Sequence, residues 1–120
     1  MTRFVLVVDD DPDIREVLCG LLGDEGHRAV GVPDGQKALA LLRSGSHPCL
    51  ILLDLMMPVM DGPTFRAQQL GDPTLRGIPV AVITAAGPDA AGRINAEALL
   101  FKPLSIEDVL QVVERFCPVA

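Results

Sequence analysis

Five polar residues stand at the ends of short apolar runs, and their types suit phosphoryl chemistry. Asp9 and Asp10 follow Phe4-Val5-Leu6-Val7-Val8, and Asp54 closes Cys49-Leu50-Ile51-Leu52-Leu53. Thr84 closes an aliphatic run over residues 78–83, and Lys102 follows residues 98–101. Carboxylates gathered at one place repel one another and hold their protons more tightly unless a cation neutralises them. Oxygen donors with no His or Cys among them suit a hard ion such as Mg²⁺ rather than zinc. An ammonium, a hydroxyl and such an ion around one carboxylate form a receptor for a trianionic group. A carboxylate so placed can act as a nucleophile and become an acyl phosphate. Each residue alone has a plainer reading, as a strand-end acid in water, a satisfied hydroxyl or a solvated lysine. Asp11 reads as a helix cap and Asp61 as a helix-opening residue, so neither is assigned to the site.

The elements that must position these residues follow from periodicity. Residues 4–8, 27–32, 50–54, 78–84 and 98–101 read as strands, and the first, third and fourth are apolar enough to be buried on both faces. Between them lie helical patterns. The first opens at Pro12 behind Asp11 and carries Ile14, Val17, Leu18, Leu21 and Leu22 on one stripe. A second follows Asp34, a third opens at Asp61-Gly62-Pro63, and a last one follows Ser105 with Ile106, Val109, Leu110, Val113 and Phe116 on its inner face. Within residues 85–96, Gly87-Pro88-Asp89 could open a helix, but Ala90 to Asn95 give it only about two turns. Five βα units without a hairpin-length link demand a doubly wound parallel sheet with helices on both faces and right-handed crossovers. In such a sheet all five polar residues fall on the carboxyl edge, where ligands collect.

Composition narrows the function classes. A chain of 120 residues suits one domain, read as spanning 1–120. A net charge of −6 and four Phe with no Trp or Tyr argue against direct nucleic-acid binding, which needs a basic face and stacking platforms. Cys19, Cys49 and Cys117 lack metal-ligand spacing and lie in apolar segments, which predicts buried, reduced thiols. The N-terminus lacks the pattern of a signal peptide and no apolar run is long enough to span a bilayer, so a cytoplasmic protein with no membrane partner is expected.

The motifs Val7-Val8-Asp9-Asp10-Asp11-Pro12, Leu53-Asp54-Leu55-Met56-Met57-Pro58-Val59-Met60-Asp61-Gly62, Ile83-Thr84-Ala85 and Phe101-Lys102-Pro103-Leu104 together resemble the receiver domain of two-component response regulators. The resemblance covers essentially the whole chain. It implies a flavodoxin-like (βα)5 fold with strand order 2-1-3-4-5. It implies that Asp54 takes a phosphoryl group from a histidine kinase or phosphotransfer protein. Mg²⁺ would be held by Asp10, Asp54 and the backbone carbonyl of Met56, with Asp9 acting through a water. Lys102 would pair with Asp54 or a phosphate oxygen, Thr84 would rotate inward to meet the phosphate, and the Lys102-Pro103 peptide would be cis. A phosphorylation-dependent homodimer is one assembly the resemblance allows.

Two departures stand out. Leu99 takes the place, three residues before the lysine, where the family usually has an aromatic. The Thr84 to Lys102 interval is short by about one helical turn, which predicts a shortened fourth helix and an altered output face. The chain ends soon after the last helix, which fits either a stand-alone receiver or the receiver part of a longer regulator.

Other classes fit less well. A Mg²⁺-dependent aspartyl-phosphate phosphohydrolase needs an acid two residues after its nucleophile to protonate the leaving group, and here that residue is Met56. A flavin module on this topology would want a Ser/Thr/Gly-rich first loop and aromatics flanking the ring. The reading is therefore a phosphoacceptor rather than an enzyme.

Overall fold

Side chains alternate between the two faces of a strand, and uninterrupted apolar strands therefore need cover on both sides. Residues 3–55, 59–85 and 96–118 are described in the structure, a computed structural model. Strands β1 (Val5–Val8), β2 (Ala29–Val32), β3 (Leu50–Asp54), β4 (Val80–Thr84) and β5 (Ala98–Phe101) form one parallel sheet in the order β2-β1-β3-β4-β5. Among the described residues there are four helices, α1 (Pro12–Asp24), α2 (Gly35–Arg43), α3 (Gly62–Leu70) and α4 (Ile106–Phe116). Leu6, Val8, Ile51, Leu53, Val80 and Val82 pack on one face with Ala38, Leu39 and Leu42 of α2 and Phe65 of α3. Val5, Val7, Leu50, Leu52, Ala81 and Ile83 pack on the other with Leu18 and Leu22 of α1 and Val109 and Val113 of α4. The shortened helix expected between β4 and β5 lies outside the described residues.

The helix starts are those the cap residues dictate. Asp11 accepts from the amides of Asp13 and Ile14, Asp34 from Lys37, Asp61 from Thr64 and Ser105 from Asp108. Each bond satisfies an amide with no partner inside its helix.

Strand β1 begins one residue later than periodicity suggests, and two others begin two residues later. The His27 amide donates to the Leu22 carbonyl at 2.8 Å, closing the end of α1 instead of joining the sheet, so β2 starts at Ala29. The Ile78 amide donates to Leu75, and Pro79 has no N–H to offer, so β4 starts at Val80. The buried Gln69 side chain braces this turn, donating to the carbonyls of Leu75 and Ile78 at 3.0 and 2.9 Å and accepting from Arg66 at 2.7 Å. The α1 stripe is also only half buried: Leu18 and Leu22 are inside, while Val17 and Leu21 are exposed. They form, with Pro103, Leu104 and Ile106, the walls of an open apolar groove between α1 and α4.

The cysteines depart from the expected reduced thiols. Cys49, just ahead of β3, and Cys117, at the end of α4, form a disulfide with Cα atoms 5.6 Å apart and a sequence separation of 68. Cys19 is free, and burial raises its thiol pKa. No helix among the described residues is long and apolar enough to cross a membrane.

Candidate functional site

The carboxyl ends of β1, β3, β4 and β5 converge as the topology requires. Asp9 and Asp10 follow β1, Asp54 is the last residue of β3, Thr84 the last of β4, and Lys102 follows β5. Strand alternation divides them into two rows. Asp54 continues the row of Leu50 and Leu52, and Asp9 that of Val5 and Val7, both on the α1–α4 face. Thr84 continues Val80 and Val82, the row of the opposite face.

Asp9, Asp10 and Asp54 bring one carboxylate oxygen each to within 4.8 Å of one another. Asp9 and Asp54 are buried and Asp10 is exposed. Lys102 Nζ lies 3.7 Å from Asp54 Oδ2 and 4.0 Å from Asp9 Oδ2, a single cation shared by two buried acids. Asp9 Oδ1 accepts from the Asp11 amide at 2.9 Å, whereas the fully buried Oδ2 has no hydrogen-bond partner among the described residues. One ammonium thus stands beside a cluster of three acids. An all-oxygen donor set with an unbonded buried oxygen therefore fits a small hard cation. Of the site residues expected from sequence, Asp9, Asp10, Asp54 and Lys102 are brought together. Thr84 sits at the neighbouring strand end, and Met56 lies outside the described residues.

Burial is the main cause of a raised Asp9 pKa, and the charges of Asp10 and Asp11 add to it. The Asp11 amide and Lys102 oppose it without cancelling it. The folded chain thus holds this proton more tightly than the unfolded chain does. As the pH of metal-free buffer rises from the ordinary 3.8 to the folded value, the unfolded state deprotonates first and Asp9 comes to destabilise the fold. That cost persists at higher pH. An Asp9→Asn variant keeps an oxygen for the Asp11 amide but lacks the titration. Its stability advantage over wild type, measured by urea unfolding, should therefore grow with pH through this window and then level off. An advantage that is constant or shrinks with pH would contradict the burial account.

The loop after Asp54 is closed by a bond from the Gly62 amide to the Leu55 carbonyl at 3.0 Å. A Cβ at Gly62 would meet the Leu55 backbone at 3.0 and 3.1 Å, so only glycine permits this approach. The Lys102-Pro103 peptide is cis, as the motif implied. Phe101 was missed by sequence reasoning, which looked for an aromatic only at position 99. It shares a row of β5 with Leu99, both are exposed, and it lies in register with Thr84. Only the register of the paired strands reveals it.

A family model for the response regulator receiver domain matches residues 5–114. The chain belongs to that family. This receiver is 39% identical over 85 residues to the DNA-binding response regulator MtrA of Mycolicibacterium smegmatis; the match covers 71% of the chain but only 36% of MtrA. The receiver domain of a signal transduction histidine kinase from Syntrophus aciditrophicus superimposes with a TM-score of 0.87 at 31% identity, covering 96% of this chain and 89% of that one. The Vibrio cholerae chemotaxis protein CheY4 gives a TM-score of 0.86 at 28% identity, with 97% and 99% covered.

Proposed function

We propose that this receiver, as a single domain over residues 1–120, takes a phosphoryl group onto Asp54 from a phosphohistidine of a histidine kinase or phosphotransfer protein. The observation that carries the reading is the convergence of Asp9, Asp10, Asp54 and Lys102 around one buried strand end. An Asp54 oxygen attacks phosphorus, the P–N bond of the donor breaks, and an acyl phosphate forms. Asp10 and Asp54, with Asp9 behind them, would hold Mg²⁺, which supplies charge neutralisation at the phosphoryl oxygens. The Lys102 ammonium, already near Asp54, pairs with the incoming oxygens and keeps them in line. Thr84 accounts for a further hydroxyl at the adjacent strand end. The phosphorylated state then alters binding to an output domain, a separate protein or a second copy of the chain. The net charge of −6 disfavours direct contact with nucleic acid. A cytoplasmic location suits such a phosphodonor.

The chain is proposed to be a phosphoacceptor rather than an enzyme. Incubation with acetyl phosphate and Mg²⁺, followed by intact-mass measurement, should give one phosphoryl group per chain, and chelation of the cation should prevent it. Parallel incubation with a generic phosphomonoester should give no turnover. Sustained release of phosphate from the monoester would favour the phosphohydrolase reading instead.

A further inference from the structure

Asp9 is held at three points, and the third comes from a residue with no part in the chemistry above. Its amide donates to the Val32 carbonyl of β2 at 3.2 Å, and its Oδ1 accepts from the Asp11 amide. Its carbonyl oxygen accepts from Nη1 of Arg15, on α1, at 2.7 Å, a short bond with a charged donor. That carbonyl belongs to the peptide unit joining Asp9 to Asp10. The unit is planar, so holding its oxygen fixes the plane and the direction in which Asp10 leaves the chain. With all three bonds in place, the Asp9 atom still without one is Oδ2, the oxygen 4.0 Å from Lys102.

A second observation concerns the space Arg15 occupies. Its side chain crosses β2 over Gly31, where an added Cβ would stand 3.3 Å from Arg15 Cδ and 3.4 Å from Arg15 Cβ. Gly31 pairs with Val7, two residues before Asp9. A larger residue there would lift the arginine stem away from the end of β1. The Arg15 guanidinium reaches the Asp9 carbonyl oxygen, while carboxylate Oδ1 takes the Asp11 amide and Oδ2 has no hydrogen-bond partner among the described residues. The guanidinium therefore bonds the backbone and not the carboxylate.

We propose that Arg15 is a positioning residue for the acidic pair, its guanidinium locking the Asp9–Asp10 peptide and Gly31 providing its seat. This rests on the reading of Asp9, Asp10 and Asp54 as a cation site. The test is calorimetric titration of Mg²⁺ into wild type, Arg15→Ala, Arg15→Lys and Gly31→Val, with the urea midpoint of each measured in metal-free buffer. Loss of an outer partner of this kind weakens cation affinity by about tenfold or more. Arg15→Ala and Gly31→Val should both show that loss. Arg15→Lys, whose ammonium can donate to the same carbonyl, should recover most of it. Lowered midpoints with wild-type Mg²⁺ affinity would make Arg15 merely structural and overturn the proposal, as would a lysine variant no better than alanine. If Arg15→Ala fails to fold, the lysine and Gly31 variants decide. Wild type that binds no Mg²⁺ would instead refute the cation-site reading itself.

Discussion

An Asp54→Asn chain is expected to take no phosphoryl group from acetyl phosphate while folding as wild type does. An amide has no carboxylate oxygen with which to form the acyl phosphate, so the loss should be complete rather than partial. The change is nearly isosteric at a residue only 4% exposed, which leaves the packing of β3 undisturbed. Lys102 keeps its second neighbour, Asp9, at 4.0 Å. The variant should also respond less to Mg²⁺, having lost one of three clustered carboxylates. A ligand at a hundred times its Kd stabilises a folded protein by about 2.7 kcal/mol. Thermal unfolding with and without Mg²⁺ should therefore show a clear upward shift for wild type and a much smaller one for Asp54→Asn. Labelling at wild-type yield in the variant would remove Asp54 from the role, and Asp9 or Asp10 would become the acceptor to test.

What the sequence disclosed followed the physics of each signal. Leu50 to Leu53 could only be a strand buried on both faces, and Asp54 had to be its end. Parallel βα topology then placed Asp9, Asp10, Thr84 and Lys102 on the same edge without any knowledge of distances. Cap residues such as Asp11 and Asp61 marked helix starts because their side chains satisfy local amides, a short-range effect. The misses depended on longer-range facts. The starts of β2 and β4 shifted because His27 and Ile78 spend their amides on carbonyls of preceding turns. Periodicity cannot see that choice. Nor could it foresee that Thr84 belongs to the other side-chain row from Asp54, or that Phe101 stands opposite it. Register sets both, and register emerges only when strands pair. The bond from Arg15 to the Asp9 carbonyl was equally hidden, since it needs Gly31 on a different strand to leave the space.

Reducing the Cys49–Cys117 bridge is expected to remove a large share of the stability without touching the acidic site. Cysteine spacing could not indicate the pairing, because the partners are 68 residues apart and meet only when α4 packs on the sheet. Closing a loop of that length restricts the unfolded chain by about 4 kcal/mol. That is a large part of the roughly 5–15 kcal/mol that holds a typical domain folded. Wild type should therefore show a markedly lower urea midpoint in dithiothreitol. The double variant Cys49→Ala/Cys117→Ala should show the lower midpoint with or without reductant, and Cys19→Ser should remain as reductant-sensitive as wild type. Identical midpoints in both buffers, with three titratable thiols in the unreduced unfolded chain, would show that the pair is not bridged. In a reducing compartment such a bridge tends to be open, so this share of the stability depends on redox state. The bridge adjoins the start of β3 and Asp54 is the last residue of that strand, a separation of roughly 15 Å at about 3.3 Å per residue. Reduction should thus lower stability while leaving the phosphoryl chemistry at Asp54 intact wherever the chain stays folded. Labelling with acetyl phosphate in the two buffers separates these effects.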